Sequence, residues 1–435
     1  MKINTLYLLE YMREIRDEVI NTNNLDAFYN RKLKQAWEKA KETDAYKNAP
    51  DYDKNTFLSF HITTKEELKS APLSYLRVGV KDALKYYQTT GTTGTPTPTP
   101  RTDKDMIANT VSVAEAWRET LTDHKHRVLI LLPSDIVPVA DLLVGVCEYL
   151  NIPHTKAYPY TVGISDWDKI IGLWHVFNPT VLVIAPGVLL ELTQTIKRRG
   201  LLKDLSSSVM KIMMLGEVST PEFRKMVGTW WNASALDASY GSTESGTLAA
   251  CCEHDKLHLL LGANYFEIEK DGNIFPLKDG INGRLVVTPL NNDARPLLRL
   301  NMGDEVTIEY GCQCGRNTPY VTVHGRGNDK ISLKNTLVST RDVERIIYSN
   351  LDVAGYLLEV SEDGSYARVL LERDAESDKL TEPEKILNIQ NKTINSLGFT
   401  WDEVHFVNRL PVTTKSGGSQ KSWKKSNIHI ITPKG

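Results

Sequence analysis

Three short apolar runs set the fold class: "RVLILLP" at Arg127–Pro133, "TVLVIAPG" at Thr180–Gly187 and "VMKIMMLGE" at Val209–Glu217. Each has the length of a strand and is apolar on both of its alternating faces, so both faces must be covered. Each is followed by a stretch of helical length: "VADLLVGVCEYLNI", "VLLELTQTIKRRG" and "TPEFRKMVGTWW". Strands that alternate with helices predict a mainly parallel sheet, because parallel neighbours need a crossover and the crossover helices supply the cover. The punctuation agrees. Gly200 closes the second helix, and Thr220 stands as N-cap with Pro221 at the first helical position of the third.

The flanks read differently. Residues before about 85 are charged and helical, "NLDAFYNRKLKQAWEKAKE" being the clearest amphipathic piece. From Leu257, "LHLLLGANYFEIEKDGNIFP" and "GRLVVTP" read as antiparallel strands around Asp-Gly turns. The C-terminal stretch reads helix–strand–strand–helix–strand, a small α+β domain. A chain of 435 residues exceeds one core, so two or three domains are expected. With 52 basic against 54 acidic residues, there is no basic excess for nucleic acid or an anionic membrane. No run reaches the roughly 18 apolar residues of a spanning helix. The N-terminus carries acids inside its amphipathic pattern, unlike a signal peptide. The expected location is therefore cytoplasmic, and five sparse cysteines suit a reducing compartment.

One loop carries chemistry on its face. "TTGTTGTPT" at Thr89–Thr97 crowds hydroxyls and backbone N–H groups around two glycines, which suits a phosphate. Its prolines predict an extended exit. The loop is not a Walker A motif, because Gly94 is followed by Thr95 and Pro96 rather than Lys. Three further segments keep it company: "SYGSTESG" at Ser239–Gly246, "LLRLNMGDEV" at Leu297–Val306 and "HGRGNDKISL" at His324–Leu333. Together, in this order and spacing, they resemble the adenylate-forming superfamily of acyl-CoA synthetases, peptide-synthetase adenylation domains and luciferases. The phenylacetate–CoA ligase branch is the nearest in pattern, with "AFYNRKLKQAW" and "FHITTKEELK" matching its N-terminal region.

The resemblance implies an α/β fold: a large N-terminal domain, residues 1–327, with mainly parallel sheets and a small antiparallel region, and a mobile α+β C-terminal domain, residues 328–435. It implies attack of a carboxylate on the α-phosphate of ATP, with Mg²⁺, to give an acyl-adenylate and pyrophosphate, then transfer to CoA. An aromatic or arylacetic acid is the favoured substrate. Thr89, Thr90, Gly91, Thr92, Thr93 and Gly94 would wrap the β- and γ-phosphates, although the family's usual Lys or Arg is replaced by Thr95. In Ser239, Tyr240, Gly241, Ser242, Thr243 and Glu244, the tyrosine would lie on adenine, Thr243 would donate to the α-phosphate and Glu244 would hold Mg²⁺. Gly216 and Glu217 match a loop beside the adenine, with Asp237 a further candidate for its edge. Asp304 would accept from the ribose diol and Arg326 would add a ribose or phosphate contact.

A hinge is expected at Asn328, where the family carries Asp, and a catalytic lysine in "LPVTTKSGGSQKSWKK", with Lys421 preferred over Lys415 and Lys424. Lys334–Asn335 stands where many CoA-forming members have Arg-Gly beside the pantetheine channel, which keeps a carrier protein or an amine open as acceptor, and a nucleotide sensor as a third reading. Trp174 and His175 are candidates for the acid pocket or for core packing. Four of the five cysteines cluster as "CCEHDKLHL" and "CQCGR". Cys252, His258, Cys312 and Cys314 form a structural Zn²⁺ ligand set, with Cys251 and His254 as alternates. A homodimer is compatible with the sequence.

Overall fold

The computed structural model describes residues 5–20, 24–89, 96–161, 163–217, 219–326, 330–411 and 427–431. The chain divides into two compact units. The first holds residues 1–128, 133–155 and 238–325; the second holds 129–132, 156–237 and 326–435.

The first unit is built on an eight-stranded sheet. Its order is Asn273–Phe275, Asn264–Lys270, Asn282–Pro289, Leu300–Glu309, Tyr320–Arg326, Leu257–Leu259, Gly246–Cys251 and Ser239–Ser242. The region read as a small set of antiparallel strands is thus a large sheet, because the motif "SYGSTESG" itself forms a hairpin of two strands, Ser239–Ser242 and Gly246–Cys251. The helix Asp103–Thr122 packs on it, with Trp117 donating its indole N–H to the carbonyl of Ala238. The N-terminal helix Thr5–Ile20 docks on that helix in turn through Ile15, Ala108 and Val111. A hairpin turn at Asp271–Gly272 has both residues at positive φ, the geometry an Asp-Gly pair favours.

The second unit contains the predicted α/β layer. Val181–Ile184, Lys211–Met214 and Ser234–Asp237 pair in parallel, within a five-stranded sheet that also takes in Val128–Leu131 and His154–Lys156. Every residue of Val128–Leu131 and Val181–Ile184 is buried, as expected for strands covered on both faces. The helix Val139–Tyr149 belongs to residues 133–155 of the first unit, and the helices of the second follow at Pro186–Arg198 and Pro221–Trp231. Thr220 caps the last of these, accepting from the Phe223 N–H at 3.3 Å, with Pro221 opening its first turn. Trp174 and Trp231 stack 5.8 Å apart in this core, and each indole N–H is satisfied, by the Leu205 carbonyl and the Thr193 hydroxyl. Trp174 is core packing, while His175 is exposed beside Asp204. The C-terminal four-stranded sheet orders Glu403–Val407, Ala367–Arg373, Val353–Ser361 and Ile428–Ile431. Lys197 on the helix Pro186–Arg198 meets Asp374 at 2.7 Å, with both side chains almost fully buried.

One buried acid in this unit has an opposed environment. Glu344, on the helix Thr340–Asn350, packs against the helix Pro221–Trp231. Burial, with Glu217 and Glu222 adding repulsion against the pull of Arg341, pushes its carboxyl up to about 8. A raised carboxyl holds its proton in the folded chain and loses it in the unfolded chain at an ordinary 4.5, so unfolding becomes easier as pH climbs through that window. Glu344→Gln keeps the shape without the proton. Its melting temperature relative to the parent chain is expected to rise from about pH 5 to about pH 8 and then level off. A difference that stays flat with pH would remove Glu344 as the titrating group.

Candidate functional site

The phosphate-type loop is carried by a hairpin. Lys85–Gln88 pairs antiparallel with Pro98–Arg101, Gln88 facing Pro98 and Lys85 facing Arg101. The prolines do extend the chain as expected, but the strand they make turns back along the one that entered, instead of leading away. Proline lacks an N–H, and a two-stranded ribbon leaves room for that loss on its outer side. Thr89 closes the base: its N–H donates to the Thr97 carbonyl at 3.1 Å and its hydroxyl accepts from the Thr97 N–H at 2.9 Å. Thr90, Gly91, Thr92, Thr93, Gly94 and Thr95 lie outside the described residues.

The second motif sits at the tip of the hairpin Ser239–Cys251. Gly241 is required there, since a Cβ at this position would stand 2.3 Å from the Gly246 carbonyl oxygen. Asn109 accepts the Thr247 N–H at 3.0 Å, tying the hairpin to the helix Asp103–Thr122. The tip itself is clasped from below: Arg101 donates one guanidinium nitrogen to the carbonyls of Thr243 at 2.7 Å and Glu244 at 3.3 Å. Ser242 accepts from the Ser245 N–H at 3.2 Å and so tightens the turn. The side chains of Thr243 and Glu244 are half-buried.

The third motif lies on an irregular strand. In Leu300–Glu309, Asn301 faces Val286 and Glu305 faces Arg284, so four steps on this strand oppose two on its neighbour. The extra length bows out around Gly303, which adopts φ 69°, and the Asn301 side chain accepts the Gly303 N–H at 2.8 Å. Asn301 thus holds the bulge. The bulge re-aims Asp304, and Tyr240 donates its hydroxyl to the Asp304 carboxylate at 2.7 Å. Two residues 64 positions apart, singled out separately for adenine and ribose, meet here. Arg299, just before the bulge, points into the core. It is 2% exposed, grips Glu267 through two 2.9 Å bonds and donates to the carbonyls of Leu58 and Phe60. Arg326 is the last residue of the strand Tyr320–Arg326.

The remaining candidates fall in the second unit. Gly216, at φ 92°, follows the strand Lys211–Met214, and Glu217 accepts the Gly187 N–H at 3.2 Å. Asp237 ends its strand 4.0 Å from Arg224. Lys334 and Asn335, at φ 49° and 65°, form the two-residue turn between Ile331–Leu333 and Thr336–Val338. Asn tolerates that left-handed conformation well, which accounts for a non-glycine residue there. Lys334 is tied to Asp402 at 2.6 Å. Asn328, Lys415, Lys421 and Lys424 lie outside the described residues.

In the first unit, Cys252, His258, Cys312 and Cys314 converge, their ligand atoms all within 4.8 Å of one another. Cys252 and Cys312 are 3.8 Å apart at sulfur, and Cys314 lies 3.2 Å from His258 Nε2. His258 Nδ1 sits 3.0 Å from the Thr318 carbonyl, a partner that leaves Nε2 as the ligating nitrogen. Cys251 and His254 are not in this group: Cys251 is buried on its strand, and His254 lies 3.8 Å from Glu253.

No protein-family model matches the chain. It is 23% identical over 331 residues to phenylacetate–coenzyme A ligase of Escherichia coli, covering 74% of each chain. It is 24% identical over 345 residues to the enzyme of that name from Aromatoleum evansii, covering 74% of this chain and 76% of the relative. The solved structure of 2-hydroxyisobutyryl-CoA ligase, in the postadenylation state with 2-HIB-AMP, matches with a TM-score of 0.73 at 14% identity, covering 98% of this chain and 89% of that one. The chain is similar in sequence to phenylacetate–CoA ligases and has the fold of CoA ligases of the adenylate-forming superfamily.

Within that superfamily pattern, sequence reasoning missed Arg101 and Arg295, which lie at the base of the loop hairpin. Arg101 was legible only as the end of "PTPTPR", with nothing in the spacing to link it to a turn 142 residues away. Arg299 lies in the segment "LLRLNMGDEV", and the structure gives it a scaffold role. Arg299→Met should therefore destabilise the fold by about 3–5 kcal/mol, because it strands Glu267 unpaired in the interior, where burial already raises its carboxyl. Urea denaturation measures this, and a loss below about 1 kcal/mol would contradict the role.

Proposed function

We propose that the chain activates a carboxylic acid with ATP and passes the acyl group to CoA. The observation that carries this reading is the Tyr240–Asp304 contact beside the Arg101-clasped Thr243–Glu244 turn. It brings an aromatic face, a diol acceptor, a hydroxyl and a carboxylate into one unit, the set an adenosine phosphate calls for. Asp304 is the ribose acceptor, Tyr240 the adenine platform, Thr243 the α-phosphate donor and Glu244 the Mg²⁺ ligand. In the first step a substrate carboxylate oxygen bonds to the α-phosphorus, the bond to the bridging oxygen breaks, and pyrophosphate leaves with that electron pair. In the second, a thiol that has given its proton to solvent bonds to the acyl carbon, and AMP leaves with the oxygen. The relatives named as phenylacetate–CoA ligases favour an aromatic or arylacetic acid. The hydrogen-bonded Lys334–Asn335 turn favours, as a second reading, a carrier protein or an amine as acceptor.

The remaining roles are assigned on the same resemblance. Thr89 to Gly94 hold the β- and γ-phosphates, Gly216 and Glu217 belong to the adenine loop, and Arg326 serves the ribose. Lys421 acts during adenylation, with the domain boundary at 327/328 and the pivot at Asn328. The last passage of the chain between the two units, at Gly325–Arg326, falls close to that pivot. The four-residue Cys/His group fits a structural zinc ion. Tetrahedral zinc with sulfur bonds of about 2.3 Å sets its sulfurs about 3.8 Å apart, the spacing of Cys252 and Cys312. The ion would cross-link the strands around Leu257–Leu259 and Tyr320–Arg326, and four protein ligands leave it no reacting position.

Pyrophosphate exchange into ATP, run over a panel of acids and then with CoA, a carrier protein and amines, tests the reading. Acid-dependent exchange is expected, with a thioester formed on adding CoA. Glu244→Gln should abolish the exchange while the fold survives, since it removes a charged Mg²⁺ ligand at constant shape. Normal exchange in that variant would overturn the assignment of Glu244. Elemental analysis should find about one zinc per chain, and chelation should lower the melting temperature. A metal-free protein that melts the same in chelator would rule zinc out.

A further inference from the structure

The first unit pairs arginines with carboxylates: buried Arg299 with Glu267, and half-buried Arg77 with Asp293 at 2.7 Å. Two arginines beneath the loop hairpin depart from this. Arg101 is 7% exposed and Arg295 fully buried. Their hydrogen-bond acceptors are all neutral. Arg101 serves the carbonyls of Thr243 and Glu244. Arg295 serves the Thr99 hydroxyl at 3.2 Å and the Pro98 carbonyl. The Arg295 Nε–H is buried and has no partner among the described residues. Neither guanidinium makes an ion pair among the described residues.

The charge around them is out of balance. Arg295 is lowered to about 10, by burial first and then by the neighbouring charge of Arg101, with Glu244 and Tyr86 acting the other way. A guanidinium is a permanent cation in a protein, and two of them stand by the one carboxylate that acts on Arg295, that of Glu244. One buried positive charge is left over, which an interior tolerates poorly without an anion. It lies where Arg101 and Arg295 hold the base of the Gly/Thr loop and the tip of the Thr243–Glu244 hairpin. The loop's own sequence offers no cation, with Thr95 at the position where the family resemblance leads one to expect Lys or Arg.

We infer that Arg101 and Arg295 form a buried cationic floor for the polyphosphate of ATP and for the pyrophosphate it releases. This deepens the proposed function and rests on it. The two arginines are positioning residues: they fix the hairpin base and the motif turn through neutral acceptors, and their uncompensated charge selects a ligand with several negative charges over one with few. The floor favours triphosphate and pyrophosphate far more than AMP or adenosine.

Equilibrium binding to the full chain tests this, with ATP, pyrophosphate, AMP and adenosine as probes, each with Mg²⁺. Arg295→Met keeps the volume and removes the charge. It should weaken ATP and pyrophosphate ~tenfold or more, while AMP and adenosine change less than about twofold. Arg295→Lys, which restores the charge without the guanidinium fork, should recover most of the loss. Equal loss for all four probes, or no loss for any, overturns the cationic floor. A parent chain that binds ATP and AMP but shows either of those patterns in the variant leaves the ligase reading standing and removes this inference alone. A parent chain that binds none of the four removes the nucleotide reading and the floor with it. If circular dichroism shows Arg295→Met unfolded, Arg101→Gln gives the same comparison with the same expected split.

Discussion

The Asp105 carboxylate accepts the backbone N–H groups of Asp293 and Ala294, at 2.6 and 3.1 Å, and the N–H of Thr102 at 2.7 Å. It therefore caps the start of the helix Asp103–Thr122 and pins a strand-free segment to it in one act. Much of the first unit hangs on the segment so pinned. Arg77 donates to the Asp293 carbonyl and meets its carboxylate, bringing the N-terminal region in. Arg295 reaches the loop hairpin at Pro98 and Thr99. Arg299 reaches Glu267 across the sheet and the carbonyls of Leu58 and Phe60. Five residues after Arg299 comes Asp304. Buried polar groups tolerate little misplacement, because each lost partner leaves a desolvated charge or dipole. The segment thus sets the position of the candidate nucleotide residues with a precision that apolar packing alone would not give.

The same unit shows how irregular backbone serves chemistry. The strand Leu300–Glu309 departs from its register to present Asp304, and Gly303 and Asn301 stabilise the departure. Gly241 lets the motif hairpin close on itself. Both devices bend the backbone locally beside the motif residues, as a bulge or a glycine in a strand does. The cysteine and histidine cluster stands apart from these residues in its chemistry. It brings a loop, Cys312–Cys314, together with Cys252 and His258 from the strands beside it.

What the sequence determined by itself was everything that depends on local pattern. Apolar runs covered on both faces gave the parallel strands, because period and length are properties of contiguous residues. Thr220–Pro221 marked a helix start, and Asp271–Gly272 a turn, through their own backbone preferences. The motif residues Tyr240 and Asp304 were legible as chemistry from the resemblance of short segments. The tertiary structure decided what depends on residues far apart in the chain. It joined Tyr240 to Asp304, grouped four Cys and His ligands without Cys251 or His254, and turned the proline strand back on its partner. It also revealed the buried arginines. In sequence, an arginine is a charge with no stated depth, and only the fold fixes whether water, a carboxylate or neither surrounds it. The energy of a charge is set by that surrounding, which is why Arg101, Arg295 and Arg299, alike in composition, carry different roles.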